Sequence, residues 1–273
     1  MHRPNTVKNK AISLPIGHSR HVGSRSTKQP VVRRKIVSNH ISTPQFDSSA
    51  AIALKNMGVG KILLIIGNGP SHTEADLPRL VCEGIDIMSI NKPDDRIWPT
   101  KYWMYCDNSQ TTRHRALWSS YNGTIINSSS IRDIRPNTIR IKSSHGYGFS
   151  RNLKDGIFIG RSSVYSAIQV GVYMNYDHIY VFGCDMATVN GKLYPWGSNP
   201  DVSDGSRVER FATEAKFYNW MGDNLAQEIR NKITFCTRYN PWPFIKKFEK
   251  LDHVEAIDII LNRISGQTQT EHA

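Results

Sequence analysis

The 273-residue sequence predicts an α/β domain, Rossmann-like, with a mostly parallel doubly wound sheet and helices on both faces. Three observations carry that expectation. Ile62–Ile66 (ILLII) is an unbroken run of β-branched and leucine residues, too short for a helix and closed by glycine, as a parallel strand buried on both faces reads. Gly67-Asn68-Gly69-Pro70-Ser71 follows at once. Two residues without Cβ permit a sharp turn and a close ligand, and Pro70 suits the first turn of a helix, where its missing N–H would have no partner. Short apolar runs then alternate with segments of helical period through the rest of the chain, the pattern of βαβ units.

Residues 1–57 read as a basic, flexible arm. Residues 1–36 hold nine Lys/Arg and no Asp/Glu, and Pro4, Pro15, Pro30 and Pro44 interrupt any period. A short helix at 48–56 is expected to pack under the sheet. The core domain spans 58–243, and 244–273 form a C-terminal helix (254–264) with a polar tail.

After the glycine turn, 74–81 is a short helical stretch interrupted by Pro78. Ile85–Ile90 (IDIMSI) is the second strand, ending in Asn91, and 101–106 (KYWMYC) the third, ending in Asp107 and Asn108. Parallel strands share one carboxyl edge, where open sheets bind ligands, so Asn68, Asn91, Asp107 and Asn108 are expected together. Asparagine offers donor and acceptor at once, which suits a nucleobase or ribose, although asparagines also gather in turns for conformational reasons.

Residues 113–121 read as helix, 124–127 and 138–142 as strands. His145-Gly146-Tyr147-Gly148 is a glycine-interleaved loop, either a cover over a site or a plain surface loop. Residues 156–160 read as a strand, after which Arg161-Ser162-Ser163 open a helix with Ser162 as N-cap and Val164, Ala167, Ile168, Gly171 and Val172 along one stripe. Its amino end, preceded by arginine, is a second candidate anion seat beside the Gly69–Ser71 turn. Residues 178–183 (HIYVFG) deliver Cys184 and Asp185 to the same edge. The polar stretch 192–207, with Tyr194, Trp196 and Asp201, is too long for a connector and reads as a lid or acceptor-binding loop. An amphipathic helix over 208–232 places Val208, Phe211, Ala212, Ala215, Tyr218, Leu225 and Ile229 on one face. Ile233–Cys236 is the last strand, closed by Thr237-Arg238-Tyr239-Asn240.

The net charge of +12 and isoelectric point near 9.6 favour anionic partners: nucleotides, nucleic acid, anionic glycans or lipid headgroups. Four cysteines, far apart and without a C-x-x-C pair, indicate neither a zinc knuckle nor a disulfide framework and fit a reducing cytoplasm, of a cell or of an infected host. No signal-peptide pattern opens the chain, and no window approaches the ~18 apolar residues of a membrane span.

GNGPS after the first strand, an asparagine closing the second, and RSSVYSAIQVGVYMNYDHIYVFGCDM together resemble the bacterial lipooligosaccharide sialyltransferases and the wider 6-hydroxymethylpterin pyrophosphokinase-like domain family, frequent in bacteria and phages. The resemblance covers roughly residues 61–240. It implies that Asn68 and Asn91 hold the nucleotide, that Ser162 and Ser163 lie against the nucleotide-sugar, and that Asp185 closes the following strand; Asp107 or Asn108 matches the family's third-strand asparagine. The family's histidine before its last long helix, proposed as the base, has no counterpart, since none lies between His178 and His253. Asp201, Asp204 and Ser206 stand in that region instead.

These readings converge on a glycosyltransferase that moves a sugar from a nucleotide-sugar donor to a hydroxyl acceptor, on a glycan or a modified DNA base. Gly69 shapes the turn, Ser71, Arg161 and Ser162 contact phosphate, Tyr194 and Trp196 stack on a sugar or base, and Asp185, Asp107 and Asp204 are the acid–base candidates. This reading requires no cofactor. One alternative is a diphosphokinase acting on a pterin-like alcohol, with Mg²⁺ on Asp107 and Asp185. The other is a non-catalytic nucleic-acid-binding protein using the basic arm.

Overall fold

The computed structural model describes residues 48–107, 109–128, 135–197 and 204–270. Ten strands are seen among them: β1 (Ile62–Ile66), β2 (Ile85–Ile90), β3 (Tyr102–Tyr105), β4 (Thr124–Ser128), β5 (Thr138–Ile141), β6 (Ser143–Ser144), β7 (Ile157–Phe158), β8 (His178–Phe182), β9 (Ile233–Cys236) and β10 (Glu249–Leu251). The helices are α1 (Ser48–Ile52), α2 (Ser109–Arg113), α3 (Arg115–Ser120), α4 (Ser163–Tyr173), α5 (Asp204–Asn224), α6 (Gln227–Arg230) and α7 (Ala256–Thr270). Eight strands form one sheet in the order β10-β9-β8-β1-β2-β3-β4-β5, and every pairing is parallel. The doubly wound α/β fold read from the sequence is the fold observed.

Ile62 of β1 is paired with Ile85 on one side and His178 on the other, so β1 has no free edge. From β1 the chain winds outward to β5, then returns to lay β8 against β1 and winds out the other way. Strand order therefore reverses between β1 and β8, and connections leaving the two carboxyl ends diverge there, which opens a crevice.

The apolar run of β1 serves both faces. Leu63 and Ile65 pack with Val164, Ala167 and Ile168 of α4 and with Phe211, Ala215 and Tyr218 of α5. Ile62, Leu64 and Ile66 pack on the opposite face with Leu77, Leu80 and with Ala256, Ile257 and Ile260 of α7. Each fully buried side chain of this size contributes about 1.5–3 kcal/mol relative to exposure. Toward the far edge, Trp103, Tyr105 and Tyr121 form an aromatic cluster with Trp118 of α3. Ala51 and Leu54, in and just after α1, belong to the α4 side of the core; the helix expected over 48–56 ends at Ile52.

Four expectations need correction. Residues 70–81 form two single 3₁₀ turns, Pro70–Thr73 and Leu77–Leu80, each opened by a proline, rather than an α-helical stretch. Of residues 156–160 only Ile157–Phe158 pair, with Ser143–Ser144 in a separate two-stranded sheet; Gly156 and Gly160 both take positive φ and end the run. Residues beyond 243 add the eighth strand, β10, a short edge strand (EKL) whose charges hide it from a hydrophobicity argument. Helix 208–232 begins earlier and breaks after Asn224; Val208 and Ala212 are exposed, and Glu214 takes a buried place on the core face. The basic segment 1–47, together with its proposed nucleic-acid role, lies outside the described residues. All four cysteines are free thiols. Among the described residues no helix is long and apolar enough to cross a membrane.

Candidate active site

The site begins where the turns after β1 and β8 touch. The Gly67 N–H donates to the Phe182 carbonyl and the Gly69 N–H to that of Gly183, both at 2.8 Å. A Cβ on Gly67 would stand 2.6 Å from the Gly183 oxygen, and one on Gly183, at φ +64°, 2.6 Å from the Gly67 oxygen. Only glycine lets the two backbones approach this closely. Gly183→Ala is expected to cost about 2 kcal/mol or more, combining left-handed strain with overpacking, and to lower the melting temperature in a thermal scan.

Asp185 locks this junction. Its Oδ2 accepts from the Ser71 N–H (2.8 Å) and its Oδ1 from the Thr237 hydroxyl (2.6 Å), at 1% exposure. Asn240 donates to the Cys184 carbonyl at 2.9 Å, so the polar turn after β9 is spent on the end of β8. Ser71, expected to contact phosphate, is fully buried, does not line the cleft, and has its N–H held by Asp185. Each oxygen of Asp185 is thus engaged by one donor from a neighbouring turn.

The two asparagines also organise the edge. Asn68 Nδ2 donates to the Lys92 carbonyl (2.7 Å) while its Oδ1 accepts from the Lys92 N–H (3.4 Å), tying the β1 and β2 turns together. Asn91 sits at φ +56°, a left-handed conformation that asparagine tolerates better than most residues. Its carbonyl accepts from the Trp103 indole (2.7 Å) and its Oδ1 from the Ser163 hydroxyl (3.3 Å), fixing the start of α4. Ser162 is the N-cap residue of α4, as expected, but its hydroxyl meets that of Tyr218 at 3.2 Å and makes no capping bond, leaving first-turn N–H groups uncapped by it.

Above these turns lies a cleft of about 990 Å³. Asn68, Gly69, Asn91, Asp107, Arg161, Ser162, Ser163, Asp185, Tyr194 and Trp196 all line it, so the sequence-predicted set is largely brought together. Asp107 is exposed, and its Oδ1 caps α2 through the Ser109 N–H at 2.9 Å. Asp204 opens α5. Asn108 and Asp201 lie outside the described residues.

The wall also carries residues that the sequence reading missed: Lys92, Arg113, His114, Arg207, Arg210 and Glu214. Five basic side chains thus face three carboxylates. Arg210 Nε lies 2.7 Å from Glu214 Oε1 and its Nη2 donates to the Arg161 carbonyl at 2.5 Å; Arg207 Nη1 stands 3.9 Å from the same Glu214 oxygen. Burial pushes the Glu214 carboxyl up, while Arg207, Arg210 and Arg161 pull the other way. His114, on the joint between α2 and α3, is held below the ordinary imidazole range, first by burial and then by the Lys92 and Arg113 charges. The Arg207-x-x-Arg210-x-x-x-Glu214 spacing places three charges on one helix face and was readable in the sequence. Nothing local marks His114.

Tyr194 and Trp196 are stacked on each other, centroids 5.1 Å apart and planes 3° from parallel. Lys92 lies 4.5 Å over Trp196 and Arg207 5.6 Å over Tyr194. Lys92, Trp196, Tyr194 and Arg207 therefore form one pile in the cleft lining, and the rings expected to stack on a ligand already stack on each other.

Comparison with solved structures finds likeness to the sialyltransferase CST-II in complex with a trisaccharide acceptor and CMP (TM-score 0.40, 19% identity, 70% of this chain and 86% of that one). CstII from Campylobacter jejuni in complex with the substrate analogue CMP-3FNeuAc gives a TM-score of 0.38 at 14% identity, over 71% and 86% of the two chains. Monomeric CstII gives 0.40 at 16%, over 71% and 87%. Likeness at this level says nothing about the chemistry of this chain's cleft. No protein-family model and no curated protein matches the chain.

Proposed function

We infer that the cleft binds a nucleotide-sugar and transfers its sugar to a hydroxyl acceptor, on a glycan or a modified DNA base. The carrying observation is the gathering of Lys92, Arg113, Arg161, Arg207 and Arg210 at the carboxyl edge of the sheet, with only three carboxylates against them. Such an excess of guanidinium and ammonium groups in a concave site suits a phosphorylated donor. In the transfer the anomeric carbon–oxygen bond to phosphate breaks and the phosphate keeps the electron pair. The acceptor oxygen bonds to that carbon and gives up its proton. Arg161, Arg207 and Arg210, beside the amino end of α4, meet the charge that develops on the leaving phosphate, which is stabilisation without a metal. Asn68 and Asn91 hold the turns in place, and their remaining polar capacity faces base and ribose. His114 and Asp107, which also line the cleft, are the groups that take the acceptor proton.

Arg161→Ala is expected to weaken nucleotide binding about tenfold by loss of a charge-assisted contact, with acceptor KM unchanged. Unchanged donor affinity would remove Arg161 from the site. The nucleotide itself is read from a thermal-shift panel of CMP, UDP, GDP and ATP with and without Mg²⁺, because a ligand that prefers the folded state raises its melting temperature. A nucleotide that stabilises equally well in chelator is the expected result. Stabilisation only by ATP with Mg²⁺ would overturn sugar transfer in favour of diphosphoryl transfer. For the DNA-base acceptor the expected result is binding to duplex DNA that weakens steeply with salt and needs residues 1–40.

A further inference from the structure

We propose that Glu214 is a built-in competitor for the ligand's phosphate: it occupies Arg207 and Arg210 in the empty cleft, and a multiply charged phosphate anion displaces it. The inference rests on the arginine cluster being the phosphate subsite and adds how that subsite is held when empty. Glu214 is 4% exposed on the core face of α5, a position where a charge is otherwise costly. Its Oε1 lies 2.7 Å from Arg210 Nε, so the pair is held by charge and proximity. Arg207 stands farther off at 3.9 Å, and its own Nε is buried without a partner. Arg207 thus keeps an unspent donor beside a cleft wide enough for a nucleotide.

The groups facing Glu214 are Arg207, Arg210 and Tyr218 of α5, Arg161 ahead of α4, and Cys184 after β8. The thiol and the phenol are both pushed up by burial and stay neutral, so only the arginines balance the carboxylate. When an incoming phosphate takes those arginines, an ionised Glu214 is left buried beside a second anion. Burial already favours its protonated form, and the exchange therefore takes up a proton at the carboxylate. Anion affinity rises as pH falls, and the subsite selects a ligand charged enough to outcompete a carboxylate.

The test uses the full chain and cyclic trimetaphosphate, an inorganic phosphate that stays fully ionised between about pH 6 and 8, with affinity read by calorimetry. The wild-type protein is expected to bind more tightly at the lower pH, with proton uptake seen as a dependence of the heat on buffer ionisation. Glu214→Gln, nearly isosteric, is expected to bind about tenfold more tightly at the higher pH and to lose most of the pH dependence, because a single nearby negative charge is gone. Arg210→Gln, which breaks the pair from the other side, is expected to weaken binding and so keeps the test open should Glu214→Gln fold poorly. Binding by Glu214→Gln that is no tighter than wild type, with the same pH dependence, overturns the competitor role and leaves the phosphate subsite standing. Absence of binding to either protein, or no loss in Arg210→Gln, overturns the subsite as well.

Discussion

Asp185→Ala is expected to destabilise the protein by about 3 kcal/mol, roughly 10 °C in melting temperature. The carboxylate is buried and joins three segments at once: the end of β8 that carries it, the Ser71 N–H after β1, and the Thr237 hydroxyl after β9. Alanine leaves the Ser71 N–H buried without an acceptor and releases Thr237. Asp185→Asn separates this role from catalysis. Its amide keeps one acceptor for Ser71 and turns its NH₂ toward Thr237, so a loss of only about 1 kcal/mol is expected, with turnover kept within about tenfold. A variant with asparagine that melts like wild type but loses turnover by a factor of a hundred or more would make Asp185 a catalytic residue after all.

The contrast between Asp185 and Glu214 shows where sequence reading succeeds. Strands buried on both faces announce themselves, because a parallel sheet covered by helices needs continuous apolar runs; ILLII, IDIMSI and HIYVF are strands for that reason. Parallel order then puts their last residues on one edge, so Asn68, Asn91, Asp107 and Asp185 were legible as neighbours. What each does was not legible, because an amide or carboxylate at a strand end can face a ligand or another turn. Asn68 and Asp185 chose turns: the Lys92 backbone, and Ser71 with Thr237. β10 was missed for the opposite reason, since an edge strand is kept short and charged to prevent pairing with another chain. Glu214 was missed because a periodicity argument counts only apolar residues on the buried face, and this glutamate is buried by its arginines.

His114→Ala is expected to lower kcat by about 10²- to 10⁴-fold, the usual contribution of a positioned base, while nucleotide affinity stays within about twofold. The imidazole lines the cleft, between α2 and α3 and beside Lys92 and Arg113. Burial, then the charges of Lys92 and Arg113, hold it below its ordinary range of about 6.5, so it is neutral and able to accept a proton at pH 7. The sign of the pH dependence follows. The base works in its unprotonated form, so kcat/KM rises as pH climbs through the lowered value, is flat above it, and is lost on the acid side. His114→Gln, which keeps polarity and volume but has no titrating nitrogen, should abolish that acid limb together with the rate. A limb that persists in His114→Gln would assign proton removal to a carboxylate, with Asp107 as the remaining group in the cleft whose exposure suits it.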